Sequence, residues 1–255
     1  MLALLKWITH NPPLSYYHFN RLSGQIKSFF ETNLDKLPIK SYNKGKRPHR
    51  KVITMNEKKY ETLLNIQTSG EDKYHTSAKY HRYEPTPYDV LETLFNHYQL
   101  TKNDHIVDFG CGKGRLNFYI HHQFQAYVTG IEMNETYYQD AIHNQLNYQK
   151  KYPLKEEKIK FLCCYAEEYN IDPLDNKFYF FNPFSIQILR KVIEKILISL
   201  EEHPRCVELI FYYPSDDYLY YLEHKTAFSL IHNIPLPNHH KNHRERFLVY
   251  QLSYI

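Results

Sequence analysis

The sequence predicts an α/β fold: a doubly wound, mostly parallel sheet with helices on both faces, preceded by a basic, mainly helical extension. Three observations carry this. The apolar run His105 to Phe109 leads straight into Gly110, Gly112 and Gly114, in a chain that holds only 7 glycines. A second apolar run, Ala126 to Glu132, follows one helix later and ends in an acid. Strand-like and helix-like segments then alternate towards the C-terminus. Strand, glycine turn, helix is the opening unit of a dinucleotide-type fold, with the helix N-terminus facing a ligand.

Taken in order, Ser15 to Leu34 places Tyr16, Phe19, Leu22, Ile26, Phe29 and Phe30 near helical spacing and reads as a helix. Lys36 to Thr54 reads as a basic loop or extended arm, Glu57 to Ile66 as a short helix, and Gly70 to His81 as a polar linker. Thr86, Pro87 and Asp89 form a capping-box-like start to an apolar helix through Phe95. After the glycines, a helix begins at Arg115. Thr136 to Lys151 is the next helix, Ile159 to Cys164 the third strand and Lys177 to Phe181 the fourth. Ser185 to Glu202 is a helix, and Cys206 to Tyr213 is the fifth strand, ended by Pro214. Phe228 to Ile234 and Phe247 to Leu252 are the last two strands.

The glycine spacing G-x-G-x-G, with Asp108 just ahead of it, resembles motif I of class I S-adenosylmethionine (SAM) methyltransferases more than a nicotinamide site, which wants G-x-G-x-x-G. The resemblance runs from about Tyr83 to the C-terminus. It implies a Rossmann-like, seven-stranded mixed sheet whose last two strands form an antiparallel hairpin. It further implies that Gly110, Gly112 and Gly114 line the methionine part of SAM and that Glu132 takes the ribose hydroxyls. Adenine would lie against Ala166 and Glu167, where Tyr165 replaces the acid often found. The stretch containing Tyr83 and Thr86 would fold over the cofactor.

A second motif bears on the reaction. The fourth strand ends in Asn182-Pro183-Phe184, at the carboxyl edge where such sheets bind ligands. It resembles the [D/N]-P-P-[Y/F] signature of methyltransferases that act on planar nitrogen, although the second proline is missing. The resemblance makes Asn182, Pro183 and Phe184 the catalytic set: Asn182 orients the target and Phe184 stacks on it. Tyr212 and Tyr213 leave the fifth strand on the same side, so one of them is a candidate for the substrate pocket. The overall layout is similar to bacterial 23S ribosomal RNA guanine-N7 methyltransferases of the RlmQ type, which implies guanine N7 as acceptor and no catalytic base. A methyltransferase acting on protein or a small molecule, and a non-catalytic RNA-binding protein with a decayed SAM fold, remain as alternatives.

Charge supports a polyanionic partner. Residues 1–60 contain 12 Lys and Arg against 3 Asp and Glu, a balance of +9 in a chain of net charge +4, so residues 61–255 carry −5. Lys44, Lys46, Arg47, Arg50 and Lys51 form the densest cluster and are the candidate RNA-binding residues. Tyrosines interleaved with them could stack on unpaired bases, though a chain with 25 Tyr uses most of them for packing. The expected division is a basic RNA-binding extension over 1–80 and a methyltransferase domain over 81–255.

No run of 18 apolar residues is present, so no membrane span is expected. Four cysteines without a C-x-x-C spacing fit reduced thiols in the cytoplasm. His239, His240 and His243 lie in a polar stretch and are read as solvated, so no metal is expected.

Overall fold

A computed structural model describes residues 49–69, 83–153 and 156–253. The expected helix over 15–34, the linker over 70–81 and the cluster residues Lys44, Lys46 and Arg47 lie outside the described residues. The compact unit that contains everything described runs from Pro48 to Ile255.

That unit opens with α1 (His49–Leu64) and α2 (Tyr88–His97), followed by β1 (His105–Phe109), α3 (Arg115–Phe124), β2 (Tyr127–Glu132), α4 (Glu135–Lys151) and β3 (Ile159–Cys163). A 3-10 turn at Ala166–Glu168 leads to β4 (Lys177–Phe180), α5 (Ile186–Glu202), β5 (Cys206–Tyr212), α6 (Asp216–Lys225), β6 (Ser229–Pro235) and β7 (Arg246–Ser253). The seven strands lie in the order β3-β2-β1-β4-β5-β7-β6. β3 to β5 are parallel, and β7 runs antiparallel to both its neighbours. The seven-stranded mixed Rossmann-like sheet and its terminal hairpin are therefore as expected.

Alternation along the strands feeds two cores. Ile106, Tyr179, Ile210 and Val249 point to the face covered by α1 to α4. Val107, Phe178, Leu209 and Leu248 point to the other, covered by α5 and α6. On that second face Phe109, Phe180 and Phe211 pair in register across three strands, with ring centroids 5.2 and 4.8 Å apart. This stacked row clamps together the carboxyl ends of β1, β4 and β5, where the site lies.

Three local expectations are corrected. The basic arm expected through Thr54 is already helical from His49, so Arg50 and Lys51 occupy the first turn of α1. Lys, Arg and Glu are good helix formers, and the helix is anchored downstream by buried Tyr60 and Leu64. Thr86 does not cap α2: Pro87 stands at the cap, and the Tyr88 N–H donates to Glu57 of α1 at 3.1 Å. Buried Thr86 instead shares a 2.9 Å hydrogen bond with the Tyr179 hydroxyl, which satisfies two polar groups inside the core. Finally, α6 is an additional helix. Ser215 accepts from the Tyr218 N–H at its start, and Tyr218 and Leu222 are buried.

Candidate functional site

The glycine turn is built for close approach. Gly110, Gly112 and Gly114 have φ of +81°, +53° and +84°, a region costly for any residue with a Cβ. The Gly110 N–H and Cys111 N–H both donate to the Ile131 carbonyl, at 2.9 and 3.1 Å, which pins the turn to the end of β2. A Cβ at Gly110 would stand 2.9 Å from the Pro183 Cβ. The turn after β1 and the Asn182-Pro183 end of β4 are thus in direct contact.

Two acids flank the turn. Glu132 is buried and accepts from the Gly112 N–H at 2.9 Å and the Asn134 N–H at 2.8 Å. Burial raises its carboxyl above the ordinary range, while those backbone donors pull it back. Asp108 is also buried, and with its amide oriented to satisfy both neighbours Asn117 donates to Asp108 Oδ2 at 3.0 Å and accepts from the Gly130 N–H at 3.2 Å. Burial, and then the nearby Glu132 charge, push Asp108 from 3.8 up to about 8.

The consequence for stability has a definite sign. A carboxyl raised in the folded state binds its proton more tightly there than in the unfolded chain. Stability is therefore full below the ordinary value of 3.8 and drains away as pH rises towards about 8. Asp108→Asn removes this drain. In ligand-free protein the melting temperature of Asp108→Asn minus that of wild type should grow from pH 4 to pH 8. A pH-independent difference in thermal melts would mean that Asp108 is already ionised at the low end.

Tyr83 closes over the turn. Its ring lies so near Gly112 that a Cβ there would stand 2.1 Å from the Tyr83 Cε2. The ring packs 4.8 Å from Tyr137, and its hydroxyl donates to the Thr68 carbonyl at 2.5 Å. Burial pushes the phenol well above its ordinary range, so it stays a neutral donor. Residues 66–69 form a strap alongside. Asn144 of α4 accepts from the Gln67 N–H at 2.8 Å and donates to the carbonyls of Gln67 and Lys113, at 3.1 and 3.0 Å.

Arg115, the first residue of α3, is the positioning residue that reading along the sequence missed. Buried directly after Gly114, it pairs with Glu57 at 2.5 Å and Glu61 at 3.3 Å and donates to Thr68 Oγ1 at 2.7 Å. Its guanidinium stacks 4.5 Å from the Tyr88 ring. One side chain thereby ties α1, the strap and α2 to the glycine turn. The signal was an Arg placed immediately after the last turn glycine, but its acidic partners lie 54 and 58 residues upstream. A polar groove of about 620 Å³ opens beside the strap, lined by Glu57, Glu61, Gln67, Ser69, His143 and Asn144 among others, and none of the residues expected to hold SAM lines it.

At the end of β4, Asn182 has φ +40°. Asn tolerates this left-handed conformation, which turns the chain sharply over the crevice. Phe184 departs from expectation. It is 1% exposed, packs edge-on to Phe180 at 6.2 Å, and its carbonyl accepts from the Tyr218 hydroxyl. Its ring belongs to the core under α5 and α6 and offers no face for stacking, because the turn at Asn182-Pro183 directs it below the sheet. Ala166 is buried in the 3-10 turn beyond β3, and Glu167 beside it pairs with Lys191 at 3.8 Å. The expected adenine residues therefore lie at the end of the strand adjoining β2, on the same edge as Glu132.

Residues 79–170 match a family described as a methyltransferase domain. The chain carries a SAM-dependent methyltransferase domain. No curated protein matches it. Among solved structures, the fold is similar to the human methyltransferase 10 domain containing protein, with 10% identity, a TM-score of 0.50, and coverage of 80% of this chain and 98% of that one. An RNA methyltransferase from Salinibacter ruber in complex with S-adenosyl-L-homocysteine matches at 18% identity and a TM-score of 0.43, covering 67% of this chain and 93% of that one.

The methyltransferase site fits SAM on its own chemistry. Three glycines at positive φ keep side-chain bulk away from the turn after β1, and buried acids at Asp108 and Glu132 suit a cofactor carrying a cationic sulfonium and a ribose diol. Among the described residues no helix is long and apolar enough to cross a membrane, and no His, Cys, Asp and Glu cluster could hold a metal ion.

Proposed function

We propose that this methyltransferase modifies a base nitrogen in RNA, with ribosomal RNA as substrate and guanine N7 as acceptor, in the manner of RlmQ-type enzymes. The observation that carries the reading is the contact between Gly110 and Pro183, which sets the Asn182 strand end against the cofactor turn. SAM, when bound, supplies an activated methyl group. Gly110, Gly112, Gly114, Asp108 and Glu132 hold it, with Tyr83 and Thr86 closing one side and Ala166 and Glu167 the adenine end. Asn182 orients the acceptor at the end of β4. Guanine N7 carries a free lone pair and no proton, so the chain needs no general base, only alignment.

Substrate capture falls to the N-terminal part. A balance of +9 over residues 1–60 favours a polyanion through counterion release, and Lys44, Lys46, Arg47, Arg50 and Lys51 are its centre. We assign residues 1–80 to RNA binding and 81–255 to methyl transfer, in the cytoplasm, with α1 and the strap at 66–69 serving both because they pack into the unit that starts at Pro48.

The test uses labelled SAM and, as acceptors, ribosomal RNA, transfer RNA, protein and small-molecule fractions from a strain lacking the gene. Label should enter ribosomal RNA, with nucleoside mass spectrometry locating it at N7 of guanine. Asn182→Ala should bind SAM normally and lose about 10- to 100-fold in turnover, the size of effect expected when an acceptor is misplaced. Label confined to protein or small molecules would overturn the RNA assignment, and full activity in Asn182→Ala would remove that residue from the mechanism.

A further inference from the structure

Given the RNA reading above, on which this inference rests, we propose that the accepting base stacks on a Tyr213–Arg244 pair and not on Phe184. β4 and β5 pair in parallel with Phe180 opposite Phe211. Two residues on, Asn182 and Tyr213 leave adjacent strand ends, and both have left-handed backbones, with φ of +40° and +52°. A Tyr at positive φ is unusual, because only Gly, Asn and Asp adopt it cheaply. This backbone sets Tyr213 at the carboxyl edge beside the residue that orients the acceptor, with its ring half-buried against the core.

The ring is half-buried and fixed. Asn242 donates to its hydroxyl at 2.7 Å, and the Arg244 guanidinium lies 4.5 Å from its centroid. Arg244 is itself held by the Pro214 carbonyl at 3.0 Å and the Tyr213 carbonyl at 3.4 Å. Both groups are planar, half-buried and pre-ordered, and nucleobases stack on tyrosine rings and on guanidinium planes alike. Phe181 and Tyr212, 4.3 Å apart, continue the aromatic wall between Tyr213 and the core. The corner also carries carboxylates: the Glu84 charge adds to burial in raising Glu245. Carboxylates at the corner can accept hydrogen bonds from a base edge that donates them, as guanine does at N1 and its exocyclic amine.

Tyr213→Leu keeps an unbranched Cβ, so it leaves the backbone strain as it was and removes the stacking face. It should bind SAM within twofold of wild type by calorimetry while kcat/KM on RNA falls about tenfold or more, mainly through KM, as expected for the loss of one stacked base. Tyr213→Phe and Tyr213→Trp should stay within threefold of wild type, and Tyr213→Met replaces Tyr213→Leu should the latter not fold. Wild type that labels RNA together with an unimpaired Tyr213→Leu would overturn the stacking role. So would a Tyr213→Phe as defective as Tyr213→Leu, which would assign the effect to the Asn242 hydrogen bond. Wild type that labels no RNA would overturn the RNA reading first, and the two failures are read from different samples.

Discussion

Arg115→Met should destabilise the domain by about 3–5 kcal/mol, the range for removing one partner of a buried ion pair. In a domain of this size that lowers the melting temperature by roughly 10 °C. The guanidinium is 4% exposed and neutralises two carboxylates, Glu57 and Glu61, themselves only 19% and 14% exposed. Met fills the volume of the side chain's stem but leaves both acids and the Thr68 hydroxyl facing an apolar neighbour. It also abandons the Tyr88 ring, worth about another 2 kcal/mol where the cation is desolvated. The control is Arg115→Met combined with Glu57→Gln and Glu61→Gln, which should recover part of the loss because the stranded charges go with it. Denaturant titration of wild type, the single variant and the triple variant measures this. A loss below about 1 kcal/mol in the single variant would mean that water reaches the pair and screens it. The variant should also weaken SAM binding, since Arg115 follows Gly114 directly and fixes the strap on which Tyr83 is hung.

This network shows where reading along the chain stops. The glycine turn, its flanking strands and the acid at Glu132 were legible because each is local: backbone conformation and side-chain alternation depend on near neighbours. The seven-stranded mixed sheet and its antiparallel terminal hairpin followed once motif I had been matched. Arg115 was not legible, because nothing near it in sequence reveals that Glu57 and Glu61 will face it. Thr86 misled for a related reason. Its position before Pro87 fits a cap, and only the tertiary partner Tyr179 shows a better use for the hydroxyl. Phe184 misled through the motif. The missing second proline in Asn182-Pro183-Phe184 accompanies a turn that sends the ring into the core between Phe180 and Tyr218, while Tyr213, one strand away, is left at the edge. The helix at Asp216–Lys225 was hidden by its own composition, since its run of tyrosines reads equally well as strand.

Gly112→Ala should cut SAM affinity about 100-fold or more, a loss of roughly 2.7 kcal/mol, and should also destabilise the ligand-free protein. Two costs combine. The backbone at Gly112 has φ +53°, which costs an L-residue roughly 1–2 kcal/mol. The new methyl would stand 2.1 and 2.5 Å from two carbons of the Tyr83 ring, so the ring must move. It cannot move freely, because its hydroxyl is held by the Thr68 carbonyl and its face by Tyr137. Displacing the ring therefore pulls on the strap, while displacing the turn pulls the Gly112 N–H from Glu132. Either response disturbs a group that holds the cofactor. The double variant Gly112→Ala with Tyr83→Ala separates the two costs, because it relieves the clash and keeps the backbone strain. It should be less unstable than the sum of the single variants, with a favourable coupling of about 1 kcal/mol or more, as for residues in direct contact. Its SAM affinity should remain below wild type, since the ring that covers the turn is gone. Strict additivity of the two variants in denaturant titration would mean that Tyr83 does not rest on the turn, and Gly112 would then be required for its backbone conformation alone.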